Sequence, residues 1–304
     1  MSESAIRPIG IETLRDILVM ISKKGPIKRR ELAEICTDAG ILGPGRKRAE
    51  LSEGRVNHYA AVMRCMQLVR SGRFFVLQAP YGESLVAIAH FGSKRLHLEE
   101  RIEFAEGLFR CGATRTLLGL FVDGALPSSY EDFLNRASPI YLNQHEGGIV
   151  LSSTYGKIQE LKTPKDIMSV RWGSLQLCID VGVIDDVRVR PSKTVPEERS
   201  HVVFPVDVMR TWILKDFGEL VESRIVTWGD DGTLSVPELV YHCCVDGRIF
   251  HETFHGMLNE LYEKKPTRFY FNRVPITGTR GYEKAYPKIG GQYRSVVRLI
   301  DHGR

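Results

Sequence analysis

Apolar residues recur at helical spacing from Ile11 to Lys23, where Ile11, Leu14, Ile17, Leu18 and Ile21 share one face, and Gly25-Pro26 closes the pattern. Lys28 to Ala39 repeats it with Leu32, Ala33 and Ile35 and stops at Gly40. Gly43-Pro44-Gly45 cannot continue a helix, so Gly43 to Arg48 is expected to be a loop. A third helix is predicted from Ser52, as its cap, to Val69. It sets Val56, Tyr59, Ala60, Met63 and Met66 to one side and Arg55, His58 and Arg64 toward the other. Ser71-Gly72 ends it, and two strands, Phe74 to Gln78 and Leu85 to Phe91, are predicted around Pro80-Tyr81-Gly82.

The centre is less regular. Lys94 to Arg110 carries an apolar stripe, which Thr114 to Val122 continues past Gly112. Ser129 to Asp132 has the form of a helix start. Ile140 to Leu142 and Ile149 to Ser152 suggest a hairpin around Glu146-Gly147-Gly148. Thr163-Pro164-Lys165-Asp166 predicts a helix running to about Val181, with strands at Val187 to Arg190 and His201 to Phe204 after it. Beyond Val206 three more helices are expected: one marked by Val208, Trp212, Ile213, Phe217, Leu220 and Val221, one over Ser235 to Cys244, and one over Phe250 to Glu263. Strands at Thr267 to Tyr270 and Tyr293 to Ile300 then flank a long tip.

These elements give a mainly α chain with short β-hairpins, an α+β class. At 304 residues it has room for several cores, and three domains are expected: 1–93, 94–205 and 206–304. No apolar run approaches the roughly 20 residues that span a bilayer, so no membrane contact is expected. The opening MSESAIRPIG does not read as a secretory signal; the six cysteines are scattered without a C-x-x-C pair, four of them are flanked by helical apolar patterns as buried free thiols are, and no disulfide framework is expected. A cytoplasmic location is the expectation.

Charge changes the picture through its placement. Between Lys23 and Arg48 eight bases face three acids, and between Lys264 and Arg298 nine bases face Glu283 alone, while acids outnumber bases from Glu99 to Asp186. A polyanion would be drawn to the two ends. The tip from Asn272 to Arg294 interleaves Arg273, Arg280, Lys284, Lys288 and Arg294 with Tyr282, Tyr286 and Tyr293. Its glycines let backbone approach a phosphate, and its tyrosines can stack on unpaired bases.

Helix, helix, capped helix, then basic hairpin: residues 11–91, and in outline 206–300, resemble winged helix-turn-helix domains. The resemblance implies tandem modules that bind double-stranded DNA through the third helix and the wing. It nominates Arg55, Asn57, His58 and Arg64 with Arg70 and Arg73, the loop cations Arg46, Lys47 and Arg48, and then Arg268, Arg273, Arg280, Lys284, Lys288 and Arg294. Arg can bond guanine bidentately and Asn can pair with adenine. The function expected is that of a non-enzymatic regulator or accessory factor of a nucleoprotein complex, with DNA and other protein subunits as partners and no cofactor.

Two alternatives come from other classes. One is an assembly scaffold whose winged helices grip proteins. The other is a zinc peptidase, because His251-Glu252-Thr253-Phe254-His255 satisfies H-E-x-x-H, which on a helix sets two imidazoles one turn apart beside a general base. An EF-hand reading of Asp230 to Glu238 fails on ligand count. Ser235, Pro237 and Glu238 there fit a capped helix start.

Overall fold

The computed structural model describes residues 9–43, 50–121, 126–144, 149–151, 158–160, 173–273, 279 and 281–300. The fold is mixed α and β, with far more helix than strand and, among the described residues, small antiparallel sheets. The chain forms two compact units, residues 1–124 with 134–182, and residues 125–133 with 183–304. Among the described residues no helix is long and apolar enough to cross a membrane.

In the first unit, α1 (Ile11–Lys24) carries Glu12 in its first turn and Lys23 and Lys24 in its last, matching the helix dipole. Gly25, at φ 73°, ends it by returning its N–H to the Ile21 carbonyl. Ile27 then exchanges both backbone hydrogen bonds with Phe75, at 3.2 and 2.8 Å. After α2 (Arg29–Asp38) comes α3 (Glu50–Cys65), which buries Val56, Ala60, Val62 and Met63. Gln67, at φ 61°, turns the chain into β1 (Val69–Ser71), which pairs with β2 (Phe75–Leu77). The strand order is Ile27, β2, β1, with the last strand in the middle.

Here the sequence reading is corrected. The third helix stops at Cys65 rather than Val69, Ser71-Gly72 belongs to the hairpin rather than to a helix end, and the supposed strand from Leu85 lies in α4 (Tyr81–Ile88). A short apolar run does not distinguish a strand from a buried helix by its periodicity. Close packing decides it: α4 sits so near β1 that a Cβ on Gly82 would lie 2.1 Å from the Leu68 carbonyl oxygen. Gly82→Ala is therefore expected to cost the first unit about 2–3 kcal/mol through backbone overlap, despite the better helix propensity of alanine. Gly54→Ala, on α3 with nothing within 4 Å, should instead gain about 0.5–1 kcal/mol. Urea titration of the two variants checks the pair.

Helix α5 (Leu98–Arg110) packs on the end of α3. Arg110 Nε donates to the Met66 carbonyl at 3.1 Å, and a Cβ on Gly107 would meet Met66 at 3.2 Å. The same packing brings Cys65 and Cys111 to a Cα separation of 5.0 Å and joins them as a disulfide, where none was expected from the sequence. Cys36, Cys178, Cys243 and Cys244 are free and buried, and burial pushes the Cys36 thiol up to about 12. Next are α6 (Gly112–Gly119), α7 (Tyr130–Gln144), the hairpin β3 (Ile149–Leu151) with β4 (Ile158–Glu160), and α8 (Gly173–Val181). Ile140 to Leu142 are helical within α7, so the expected first strand of that hairpin is overturned. Its partner 149–151 pairs with 158–160 instead. The expected start of a helix at Pro164 lies outside the described residues.

The second unit opens on a hairpin of β5 (Ile184–Arg188) and β6 (His201–Pro205), whose Val187, Val202 and Phe204 share one core with the helices that follow. These are α9 (Leu214–Trp228), α10 (Val236–Gly247) and α11 (His251–Lys264), with β7 (Thr233–Ser235) between the first two. Ser235 caps α10 by accepting the Glu238 N–H at 3.3 Å, as its sequence implies. The Glu238 carboxylate also accepts from the hydroxyls of Ser192, Thr194 and Ser235. Three strands complete the unit: β8 (Phe269–Arg273), β9 (Lys288–Ile289) and β10 (Gln292–Leu299). β10 lies between β7 and β8. With the Ile27 bridge counted as a strand and the two-residue β9, which pairs off the main sheet path, set aside, helix, strand, helix, helix, strand, strand, with the last strand central, is the order in both 11–77 and 214–299.

Candidate nucleic-acid interface

On the outer face of α3, Arg55 and Arg64 are exposed, whereas Asn57 and His58 are half-buried. Arg55 Nη1 donates to the Gly43 carbonyl at 3.0 Å, and Arg64 Nε donates to the Ala60 carbonyl at 3.3 Å. Both guanidinium groups keep spare donors and their full charge. At the hairpin Arg70 and Arg73 are exposed, with Arg73 5.8 Å from the centroid of the Phe74 ring. Lys28, Arg29 and Arg30 are exposed where α2 begins. Arg30 pairs with Glu34 at 3.0 Å, but both side chains are more than half exposed, so little charge is cancelled. Arg46, Lys47 and Arg48, immediately before α3 in the chain, lie outside the described residues.

The corresponding surface of the second unit is different. α11 turns Phe254, Leu258 and Leu261 inward and exposes Glu252, Gly256, Glu260, Glu263 and Lys264. Its outer face is therefore acidic, with Lys264 bound to Glu260 at 2.6 Å. His251, His255 and Asn259 on this helix are half-buried and bonded within the unit. His251 donates its backbone N–H and its Nδ1–H to Asp185 Oδ2 at 2.8 and 2.7 Å. His255 Nε2–H donates to the Lys284 carbonyl at 2.9 Å, and Asn259 Oδ1 accepts the Gly290 N–H at 2.9 Å.

Most wing cations also have internal work. Lys284 sits on a 3-10 turn, Glu283–Ala285, whose Ala285 is buried. Its Nζ reaches Asp185 Oδ1 at 3.0 Å and also bonds Asp186. Arg268 grips Glu222 with two bonds, at 3.1 and 2.8 Å. Arg294 is buried and donates to the carbonyls of Ile289 and Phe271. Arg273 and Lys288 remain exposed, with Lys288 5.0 Å above the Tyr293 ring, and Arg280 lies outside the described residues. Of the nominated cations in this stretch, Arg268, Lys284 and Arg294 are thus engaged within the unit.

The sequence reading missed the group that holds this region together. Asp185 and Asp186 on β5 collect His251, Lys284 and His201, the last at 3.1 Å from Asp186, and Tyr130 stacks on His201 with centroids 3.9 Å apart. Burial works to raise both carboxyls. The bonds and charges from His251, His201 and Lys284 outweigh it and hold both below the usual carboxylate range. Burial would lower Lys284, but the same two carboxylates raise it. His255 is held down to about 4, by burial first and by neighbouring His251 second, so it is neutral near pH 7. The two H-E-x-x-H imidazoles stand edge to face with centroids 5.7 Å apart. Among the described residues no three His, Cys, Asp or Glu side chains converge as a metal site. Neither a family model, nor a curated protein, nor a solved structure matches this chain.

Proposed function

We propose that this chain is a DNA-binding protein of two winged-helix modules, acting as a regulator or accessory factor in a nucleoprotein complex. In this reading the first module engages the duplex: α3 enters the major groove with Arg55 and Arg64 outward, and the 69–77 hairpin lays Arg70 and Arg73 along the backbone. The observation that carries it is the element and strand order common to 11–77 and 214–299, combined with exposed arginines on the outer face of the third helix in the first stretch.

The acidic outer face of α11 favours a different task for the second module, contact with a protein subunit, since a row of glutamates would repel phosphates. The scaffold reading is in this way confined to one half of the chain. His251 and His255 are bound to Asp185 and the Lys284 carbonyl, which weighs against the peptidase reading.

The test is an anisotropy titration of duplex and single-stranded DNA at two salt concentrations. Duplex affinity should fall steeply with salt, and the double reversal Arg55→Glu with Arg64→Glu should weaken it on the order of 100-fold, at about 1–3 kcal/mol per base contact. Glu252→Lys on α11 should leave it within twofold. Unchanged affinity of the double reversal at low salt would remove α3 from the interface.

A further inference from the structure

A cavity of about 380 Å³ lies beside strand β8, lined among others by Tyr262, Tyr270, Asn272, Arg273 and Arg294. Its size is within the range that small ligands occupy. Because β8 is the outer strand of its sheet, residues from both of its faces reach the cavity. Tyr262 comes from α11 and is held edge-on by the Phe271 ring, with centroids 5.7 Å apart.

Arg273 and Arg294 stand directly opposite each other across the β8–β10 ladder, next to an irregularity between Arg294 and Val296. Like charges at opposed positions destabilise a strand pair. Neither arginine has a carboxylate partner among the described residues. Arg294 is 8% exposed, and its guanidinium donates only to carbonyl oxygens, of Ile289 at 3.1 and 3.0 Å and of Phe271 at 3.3 Å. A buried cation is normally matched by an anion, and carbonyl dipoles replace one only in part. Two opposed guanidinium groups in one cavity wall thus leave a position for a bound anion, while Tyr262 sets an aromatic ring about 6.0 Å from the Arg294 guanidinium. Tyr270 and Asn272 add a second ring and an amide at the rim, where an amide can pair with a base edge.

We infer that this cavity binds a nucleoside phosphate, with the phosphate between Arg273 and Arg294 and the base against Tyr262 and Tyr270. The site is on the second unit and stands independently of duplex binding by the first. Its ligand is either a free mononucleotide or the phosphorylated end of a nucleic-acid strand, which present the same chemistry.

The inference is tested by calorimetric titration of the full chain with AMP, GMP, CMP and UMP, with adenosine, with inorganic phosphate, with a short single-stranded oligonucleotide carrying a 5′-phosphate or a 5′-hydroxyl, and with a peptide ending in a free carboxylate. At least one mononucleotide should bind tenfold or more tighter than adenosine or phosphate alone. Preference for the 5′-phosphorylated oligonucleotide over both the mononucleotides and the 5′-hydroxyl strand assigns a strand end. Equal or better binding of the mononucleotide assigns a free nucleotide. Arg273→Gln, at an exposed position, should weaken the ligand at least tenfold, abolish its thermal shift, and leave the ligand-free protein as stable as before or more so. Arg294→Gln should do the same to binding, but it also removes three internal bonds, so Arg273→Gln decides. Adenosine matching AMP, an unaffected Arg273→Gln, no binding by any mononucleotide or oligonucleotide, or tighter binding of the peptide each overturns the assignment.

Discussion

Replacing Asp185 by alanine is expected to destabilise the second unit by about 3–5 kcal/mol, the loss that follows removal of one partner from a buried charge cluster. The carboxylate is fully buried and accepts from the His251 backbone and ring, from Lys284 and from the Asp186 N–H. Without it the His251 N–H has no acceptor, and Lys284 keeps Asp186 alone. Asp185→Asn should cost less, since it preserves shape but removes the charge. Urea titration followed by Trp212 and Trp228, both in this unit, gives the difference.

The pH dependence has a definite sign. His255 has a folded value of about 4 against an ordinary value near 6.5, so the unfolded chain binds its proton first, and stability falls as pH drops from about 6.5 toward 4. That depression is worth about 3 kcal/mol. Asp185 and Asp186 are lowered as well, so their contribution is complete above about pH 4 and is lost only at stronger acid. Lys284 is raised, so its part persists up to about pH 10 and disappears above that. In His255→Asn the first of these losses should vanish, while the part owed to His242, which burial also lowers, remains on the acid limb.

The second large effect belongs to the first unit. Arg15 is fully buried, donates to the carbonyls of Ser93 and Arg95 at 2.6 and 3.2 Å, bonds Asp16 at 2.9 Å, and stands 3.6 Å from the equally buried Glu100. Glu100 in turn accepts the His90 and His97 N–H groups, so one pair ties α1 to the segment that leads into α5. Arg15→Met keeps much of the volume but strands the carboxylate, and a loss of about 3–5 kcal/mol is expected. Combining it with Glu100→Gln should recover a substantial share, because the uncompensated charge is gone. Additive losses in that double-mutant cycle would refute a direct coupling.

How far the sequence could be read follows from the range of each interaction. The helices α1, α2, α10 and α11 were legible because they bury a periodic stripe, and the start of α10 because Ser235, Pro237 and Glu238 act within one turn. The strand 292–299 was legible through alternation, and 269–273 only at its first two residues, since the expected strand ended at Tyr270. Helix α4 was not, since eight residues with one wholly buried leucine fit either period, and the contact of Gly82 with Leu68 is tertiary. Arg15 sits on a helix with a clear apolar stripe, and nothing nearby signals that its acceptors lie 78 to 80 positions on. The wing misled for the same reason. Counting nine bases against one acid is local, yet Lys284 finds its carboxylates 98 and 99 positions earlier. The outward arginines of α3 were read correctly, whereas half-burial of Asn57 and His58 depends on neighbours the stripe does not reveal.

The way the β5–β6 hairpin is built into the second core bears on how the protein can be divided. A fragment beginning at residue 206, the domain boundary expected from the sequence, would leave Lys284 and His251 without Asp185 and would strip Val187, Val202 and Phe204 from the apolar floor beneath α9 to α11. Cutting at 183 keeps both, and retaining 125–133 also keeps the Tyr130 ring over His201. What looks like a tether in the sequence is part of the downstream half's own core.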